Sequence, residues 1–579
     1  MRGGGQAPIC PPPHRRSRPI SPRVRSSLEI AQAASPRPVA DVAAELGLRP
    51  EEIELHGPHV AKVGWAALAR AADGPKGRLV LVTAITPTSL GEGKTTTLVG
   101  LVDALRQLGV RVAGTLRQAS LGPVFGAKGG ATGGGRAQVV PVERVNLHLT
   151  GDLDAVAAAQ NLAAALVDNH LHHGNALGIE PASIGWPRAL DVNDRALREV
   201  VVGLGGRTNG PVRESGFVIT AASEVMAILA LARDLADLRR RLGRAVVARR
   251  RGGVPVTLDD LRAAGAMAAL LAEAAKPNLV QTLEGAPVLV HTGPYGNVSQ
   301  GSSSVIADRL ALGLAELVVT EAGFGADLGA EKFFDIKCRQ GGLEPAAVVL
   351  VATVRALKRH GGSPRAPDEE DVPAVRRGAE NLARHLRILR QFGLPVVVAA
   401  NAFSTDTRAE IDALCEAAIA SGARAAVPAM HHEQGGEGAL ELARAVRAAA
   451  REDGPGLKLL YDDALPLAEK IEALATRVYG AEGVEHSRAA AEQRHELEKL
   501  GFGQLPICMA KTHLSLSHDP HLGPHPSGFR LPVRELRLHA GAGFITAVAG
   551  DVQLMPGLPA VPVAESIDVM PDGRIVGLR

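Results

Sequence analysis

The stretch from Arg78 to Gly109 constrains the fold of this chain more than any other. Arg78 to Thr86 (RLVLVTAIT) is a near-continuous apolar, β-branched run, as expected of a parallel strand covered on both faces. A glycine-containing loop follows. After it, TTTLVGLVDALRQLG (95–109) has helical spacing and stops at Gly109, and VRVAGTLR (110–117) again reads as a strand. Strand–loop–helix–strand is the opening of a doubly wound, mainly parallel α/β domain.

Comparable apolar runs recur at 286–293 (APVLVHTG), 314–323 (LAELVVTEAG), 345–354 (PAAVVLVATV) and 394–403 (LPVVVAANAF), alternating with Ala/Leu/Arg-rich helical segments. Pro38 to Gly47 reads as a short helix with a glycine stop. Residues 122–135 (GPVFGAKGGATGGG) are too glycine-rich for regular structure and read as a mobile loop. Residues 1–35 are rich in Arg, Pro, Gly and Ser, and the first acid is Glu29. That start reads as a disordered tail, either idle or an organellar transit peptide. The organisation expected is a tail over 1–35, a P-loop domain from 36–120 and 275–395, a second domain over 121–274, and a C-terminal domain over 396–579.

Composition removes several classes of function. The net charge is +3 with 46% hydrophobic and 22% charged residues, and the excess positive charge sits in the tail. The body is close to neutral, which argues against nucleic acid as a partner. Aromatics at 3% are too sparse for base-stacking platforms. No apolar run approaches the ~18 residues a membrane span needs. Cys10, Cys338, Cys415 and Cys508 are scattered, which suits free thiols in a reducing compartment rather than a disulfide framework.

The strongest chemical signal is the loop Thr86-Pro-Thr-Ser-Leu-Gly-Glu-Gly-Lys-Thr95. Between strand and helix, glycines let backbone N–H groups close around phosphate oxygens at a helix N-terminus. Thr88, Ser89, Leu90, Gly91, Glu92, Gly93, Lys94 and Thr95 are the candidate nucleotide contacts. Lys94 is placed to reach the β- and γ-phosphates, and the Thr95 hydroxyl to help hold Mg2+ with ATP. The usual G-x-x-x-x-G-K-[ST] loop has glycine where this chain has Thr88, and a tight strand–helix turn is the bland alternative.

This loop resembles that of formate–tetrahydrofolate ligases, and the likeness continues in order along the chain. It includes TLRQASLGPVFGAKGG (115–130), NLHLTGD (146–152), VNDRALR (192–198), KPNLVQTLEG (276–285), TEAGFGADLGAEKF (320–333), VATVRALK (351–358), GGEG (435–438), CMAKT (508–512) and AGAGFI (540–545). It covers roughly residues 45–579. The resemblance implies an ATP-dependent carbon–nitrogen ligase of one-carbon metabolism. Formate would attack the γ-phosphate to give formyl phosphate, and tetrahydrofolate would then take the formyl group, giving 10-formyltetrahydrofolate, ADP and phosphate. It implies Arg117 as the anion-binding catalytic residue beside Lys94, with position 118 adjacent. It also implies a pterin clamp with Phe403 on one face, activation by K+ or NH4+, a cytoplasmic location, and a homotetramer of a P-loop domain with two further α/β domains.

The chain departs from the family pattern at several places. Gln118 stands where a Glu follows the arginine, and His432 where a Trp forms the second stacking face. Thr292, Gln300 and Ser302 alter one motif, and Leu514 and His518 another. These positions bear on the second substrate, while the lysine end of the loop is kept. Two other readings stay open: a degenerate paralogue that binds ATP but ligates poorly, and another P-loop enzyme forming an acyl phosphate on a different carboxylate. The histidines at 170, 172 and 173 have spacing that suits chelation, but no Cys or carboxylate completes a zinc set.

Overall fold

The structure is a computed structural model describing residues 25–74, 76–88, 91–127 and 129–578. Residues 1–24 of the tail expected over 1–35, and the loop positions Ser89 and Leu90, lie outside the described residues. Each apolar run identified above becomes a strand of one twelve-stranded sheet. In chain order these strands are β1 (Ile53–Leu55), β2 (Ala61–Val63), β3 (Arg78–Ala84), β4 (Val112–Leu116), β5 (Gly133–Gly134) and β6 (Ala137–Val140). The remainder are β7 (Asn278–Thr282), β8 (Pro287–Val290), β9 (Leu317–Glu321), β10 (Pro345–Ala352), β11 (Val396–Asn401) and β12 (Ala425–Ala429).

The spatial order is β1-β2-β7-β8-β4-β9-β3-β10-β11-β12, with β6 and then β5 attached to β7. From β8 to β12 every neighbour is parallel, while β1, β2, β7 and β8 pair antiparallel. Alternate residues of the central strands feed two cores. Leu79 and Leu81 pack on one face with Val318, Leu350 and Val398. Val80 and Val82 pack on the other with Val319, Val349, Val397 and the helix Lys94–Gln107. Both faces are covered, so the strands read as unbroken apolar runs.

From β3 the chain passes to β4 on one side, and β10 later docks on the other. Strand order therefore reverses at β3, and in open α/β sheets ligands bind outside the carboxyl ends at such a switch point. Gly100 breaks helix propensity inside Lys94–Gln107, at a cost near 1 kcal/mol. Its reason is spatial: a Cβ there would stand 2.4 Å from the Cβ of His431.

Three expectations change. Ser27–Gln32 is a helix with a Ser26–Glu29 capping box; Leu28 and Ala31 pack with Val124, Val140 and Val142, so the expected tail reaches too far. The glycine-rich stretch holds a short helix, Leu121–Phe125, and the strand β5, since Gly133 and Gly135 take left-handed turns that only glycine adopts freely. The sheet also draws strands from all three expected segments, β5 and β6 from 121–274 and β11 and β12 from 396–579. Beyond it, a helical layer over 152–275 has its own apolar cluster, and the C-terminal part carries a three-stranded sheet of Ile507–Ala510, Phe544–Val548 and Glu535–His539. Among the described residues no helix is long and apolar enough to cross a membrane.

Candidate active site

The carboxyl ends of seven parallel strands, from β8 to β12 in spatial order, converge on one cleft. Gly91 and Gly93 hold φ of 73° and 76°, left-handed values that turn the loop after β3 into the helix that begins at Lys94. A side chain at Gly93 would collide with Asn401, whose Nδ2 lies 2.5 Å from the Cβ position. Glu92 faces inward and is buried. One carboxylate oxygen accepts the Thr88 N–H (2.8 Å) and hydroxyl (2.9 Å), and the other the Thr353 hydroxyl (2.6 Å). The Glu92 carbonyl accepts Asn401 Nδ2 at 3.1 Å, and Arg355 donates to the Gly91 carbonyl at 3.1 Å. Glu92 and Thr88 thus clip the loop closed. A carboxylate turned away from the loop's open side also avoids repelling phosphate.

Lys94 is the first helical residue, where backbone N–H groups and the helix dipole favour anions. The Thr95 hydroxyl donates to Glu321 Oε2 at 2.7 Å. Glu321 ends β9, the strand beside β3, and the sequence reading passed over it as a site residue. Its signal was available: an acid closing the buried run LVVTE, next to the loop strand, is where P-loop proteins put the carboxylate that assists the metal. A hydroxyl and a carboxylate, both oxygen donors, suit Mg2+.

Arg117 and Gln118 follow β4. Arg117 donates a long bond, 3.4 Å, to the Pro294 carbonyl, and its Nε has no partner among the described residues. Burial holds its pKa below the usual guanidinium range, while the charge of Glu321 works the other way. A Cβ at residue 323 would lie 3.2 Å from this guanidinium, so glycine there leaves Arg117 its space. The Gln118 N–H donates to the Thr292 carbonyl at 2.6 Å, but among the described residues both atoms of its buried side-chain amide lack partners. The Thr292 hydroxyl, Gln300 Nε2 and the Ser302 hydroxyl are likewise buried and unpartnered. Four of the departures from the family pattern thus each leave an orphaned polar atom in or beside the loop that walls Arg117.

Phe403 lies just beyond β11 and His432 just beyond β12. Their ring centroids are 6.3 Å apart with planes at 51°, near the upper limit of ~7 Å for ring contact. Arg355 lies on the Phe403 ring, 4.7 Å from its centroid. The glycine hairpin closes on the other side: Arg136 N–H donates to the His432 carbonyl at 2.8 Å, and a Cβ at Gly135 would stand 2.1 Å from that oxygen. The adjacent His431 points into the core. Its Nε2 meets the Thr97 hydroxyl at 3.1 Å, and burial depresses its pKa to about 3. Leu514 is exposed on the surface. A separate cavity of about 760 Å³ lies between the helical layer and the C-terminal sheet, lined in part by Trp186, Glu224 and His539 but by no phosphate-loop residue.

Residues 25–579 match the family described as formate–tetrahydrofolate ligase. A relative of that name from Roseiflexus sp. (strain RS-1) is 57% identical over 562 residues, covering 96% of this chain and 100% of its own. A second from Saccharopolyspora erythraea is 56% identical over 564 residues, and a third from Symbiobacterium thermophilum 54% over 555, each spanning 96% of this chain and 100% of its own.

Proposed function

The chain belongs to the formate–tetrahydrofolate ligase family, and from that membership we propose a two-step, ATP-driven synthesis of 10-formyltetrahydrofolate at the carboxyl ends of β3, β4 and β9. In the first step a formate oxygen attacks the γ-phosphorus of ATP, the bond to the bridging oxygen breaks, and ADP leaves. Formate is a weak nucleophile, so in-line positioning and charge neutralisation carry this step. Lys94 faces the transferred phosphoryl group, and Arg117 holds formate and then formyl phosphate through parallel N–H bonds. Thr95 and Glu321 would hold Mg2+, which would neutralise phosphate charge when ATP is bound.

In the second step the N10 amine of tetrahydrofolate attacks the formyl carbon and phosphate departs. An amide is no base near neutral pH, so the departing phosphate takes the amine proton. The buried Oε1 of Gln118, without a donor among the described residues, is also the kind of acceptor that a K+ or NH4+ ion takes. Phe403 and His432 hold the pterin between them. The same relationship supports a homo-oligomer, which light scattering measures directly, and metabolite substrates support a cytoplasmic location.

The observation that carries this reading is the Thr95–Glu321 contact at the foot of the glycine loop, with the same carboxylate acting on Arg117. A second reading, a nucleotide-binding paralogue with weak ligation, draws on the orphaned polar atoms of Gln118, Thr292, Gln300 and Ser302. Purified protein with ATP, formate and tetrahydrofolate separates the two. Stoichiometric product and ADP support the ligase. ATP binding without folate-dependent ADP release supports the paralogue.

A further inference from the structure

In the VATVRALK motif (351–358) the Thr353 hydroxyl holds Glu92 at 2.6 Å. That hydroxyl also accepts the Ala356 N–H at 3.0 Å, capping the helix Val354–His360 against the phosphate loop. Arg355 and Arg359 are four residues apart, on one face of this helix. The loop that follows brings Arg365 over the same face. Together Thr88, Arg355, Lys358, Arg359, Ser363 and Arg365 line most of a cavity of about 190 Å³ with no acidic side chain in its wall. A single water needs roughly 10–15 Å³ by this measure, so the space holds a group larger than one ion.

The cations are unequally committed. Lys358 is neutralised by Glu410 at 3.0 Å and donates to the Glu369 carbonyl. Arg365 donates to the Glu370 carbonyl, and its charge also acts on the Asp371 carboxylate. Arg355 gives one N–H to the Gly91 carbonyl, lies over the Phe403 ring, and keeps a buried Nε without a partner among the described residues. The positive wall is therefore shared with the aromatic ring assigned to the pterin.

We infer that this cavity binds the carboxylates of the glutamate that tetrahydrofolate carries beyond its aminobenzoyl group. The inference rests on the ligase reading and on Phe403 as a pterin face. Arg355 would then touch the folate path at the ring, and Arg359 and Arg365 would meet its anionic end. Thr88 also borders the cavity, so the same chemistry fits a nucleotide phosphate, and the test separates the two sources.

Half-saturation is measured for tetrahydrofolate, for tetrahydropteroate, which lacks the glutamate, and for ATP. The proteins compared are wild type, Arg359→Gln, Arg365→Gln and the double variant. In wild type tetrahydrofolate should half-saturate at the lower concentration. In the double variant that advantage over tetrahydropteroate should shrink about tenfold, the scale of two partly exposed charge pairs. Added NaCl at constant KCl should shrink it in wild type as well, through screening, which gives a readout even if the double variant folds poorly. An undiminished advantage in the variants overturns the inference. So does a rise in the ATP value with folate discrimination intact, which assigns the cavity to phosphate. Ligation in wild type with equal half-saturation for the two pterins sinks this inference alone, whereas no ligation with either pterin sinks the ligase reading.

Discussion

Replacing Thr292 with glycine should stabilise the wall of the site. Thr292 holds φ at 53°, in the left-handed region, where an L-residue is disfavoured by ~1–2 kcal/mol and a β-branched one is a genuine outlier. It is 2% exposed and its hydroxyl has no partner among the described residues, which carries a desolvation penalty of ~1–3 kcal/mol. Glycine relieves both. Against that stand ~0.5–1 kcal/mol of backbone entropy and the burial of two carbons, worth ~0.8 kcal/mol each. The carbonyl that accepts the Gln118 N–H at 2.6 Å is kept. The central values leave a net gain of about 1 kcal/mol.

In a chain of this length a gain of that size moves the melting temperature little, so a local readout is needed. Hydrogen exchange of peptides containing residue 292 should slow about fivefold in Thr292→Gly, since ~1 kcal/mol of local opening energy is that factor. Thr292→Ala separates the contributions, because it removes the hydroxyl and keeps the strained backbone, and it should exchange faster than the glycine variant. Exchange in Thr292→Gly as fast as or faster than in wild type would refute the strain argument.

Lys94→Ala should keep its circular dichroism spectrum and lose about 10²–10³-fold in turnover, the scale of removing one charge-stabilising donor at a reacting group; wild-type turnover would remove Lys94 from the site. Glu321→Gln should raise the Mg2+ concentration for half-maximal activity severalfold, and an unchanged Mg2+ dependence would show that the Thr95 contact is only structural. His432→Trp should lower half-saturating tetrahydrofolate severalfold, because stacking is worth ~1–3 kcal/mol per ring and imidazole supplies only part of it; an unchanged value takes His432 out of the clamp. Burial depresses His291 and His385 to about 4 and His431 to about 3. The unfolded chain therefore binds more protons below its own histidine pKa of ~6.5. Their contribution is intact above that pH and lost as pH falls toward 4 and 3, at up to ~1.4 kcal/mol per unit for each histidine, and a melting temperature flat from pH 7 to 4.5 would contradict it.

The parallel half of the sheet was legible in the sequence because burial on both faces leaves unbroken apolar runs, and β3, β4, β8, β9, β10 and β11 all fall within such runs. The strands that were passed over carry a weaker signal for physical reasons. β12 (AAVPA) is an edge strand with Pro428 facing no further neighbour, and its alanines look helical. β7 is read through polar Asn278, Gln281 and Thr282, whose burial depends on partners far away in sequence, such as Asp103 for the Thr282 hydroxyl. The site shows the same division. Lys94 and Thr95 follow from a local pattern, since loop, helix start and preceding strand are contiguous. Glu321 belongs with them only once β9 is placed beside β3, a pairing across more than 230 residues. Arg355 is harder still, because its meaning comes from a carbonyl at Gly91 and a ring at Phe403. Motif resemblance marked it without giving it a task. The paired histidines make the limit plain: His431 and His432 are neighbours of the same type, yet Gly100 opens room in the helix for one and the glycine hairpin presses the other toward the cleft. What decides their roles is the absence of side chains on glycines some 300 residues away.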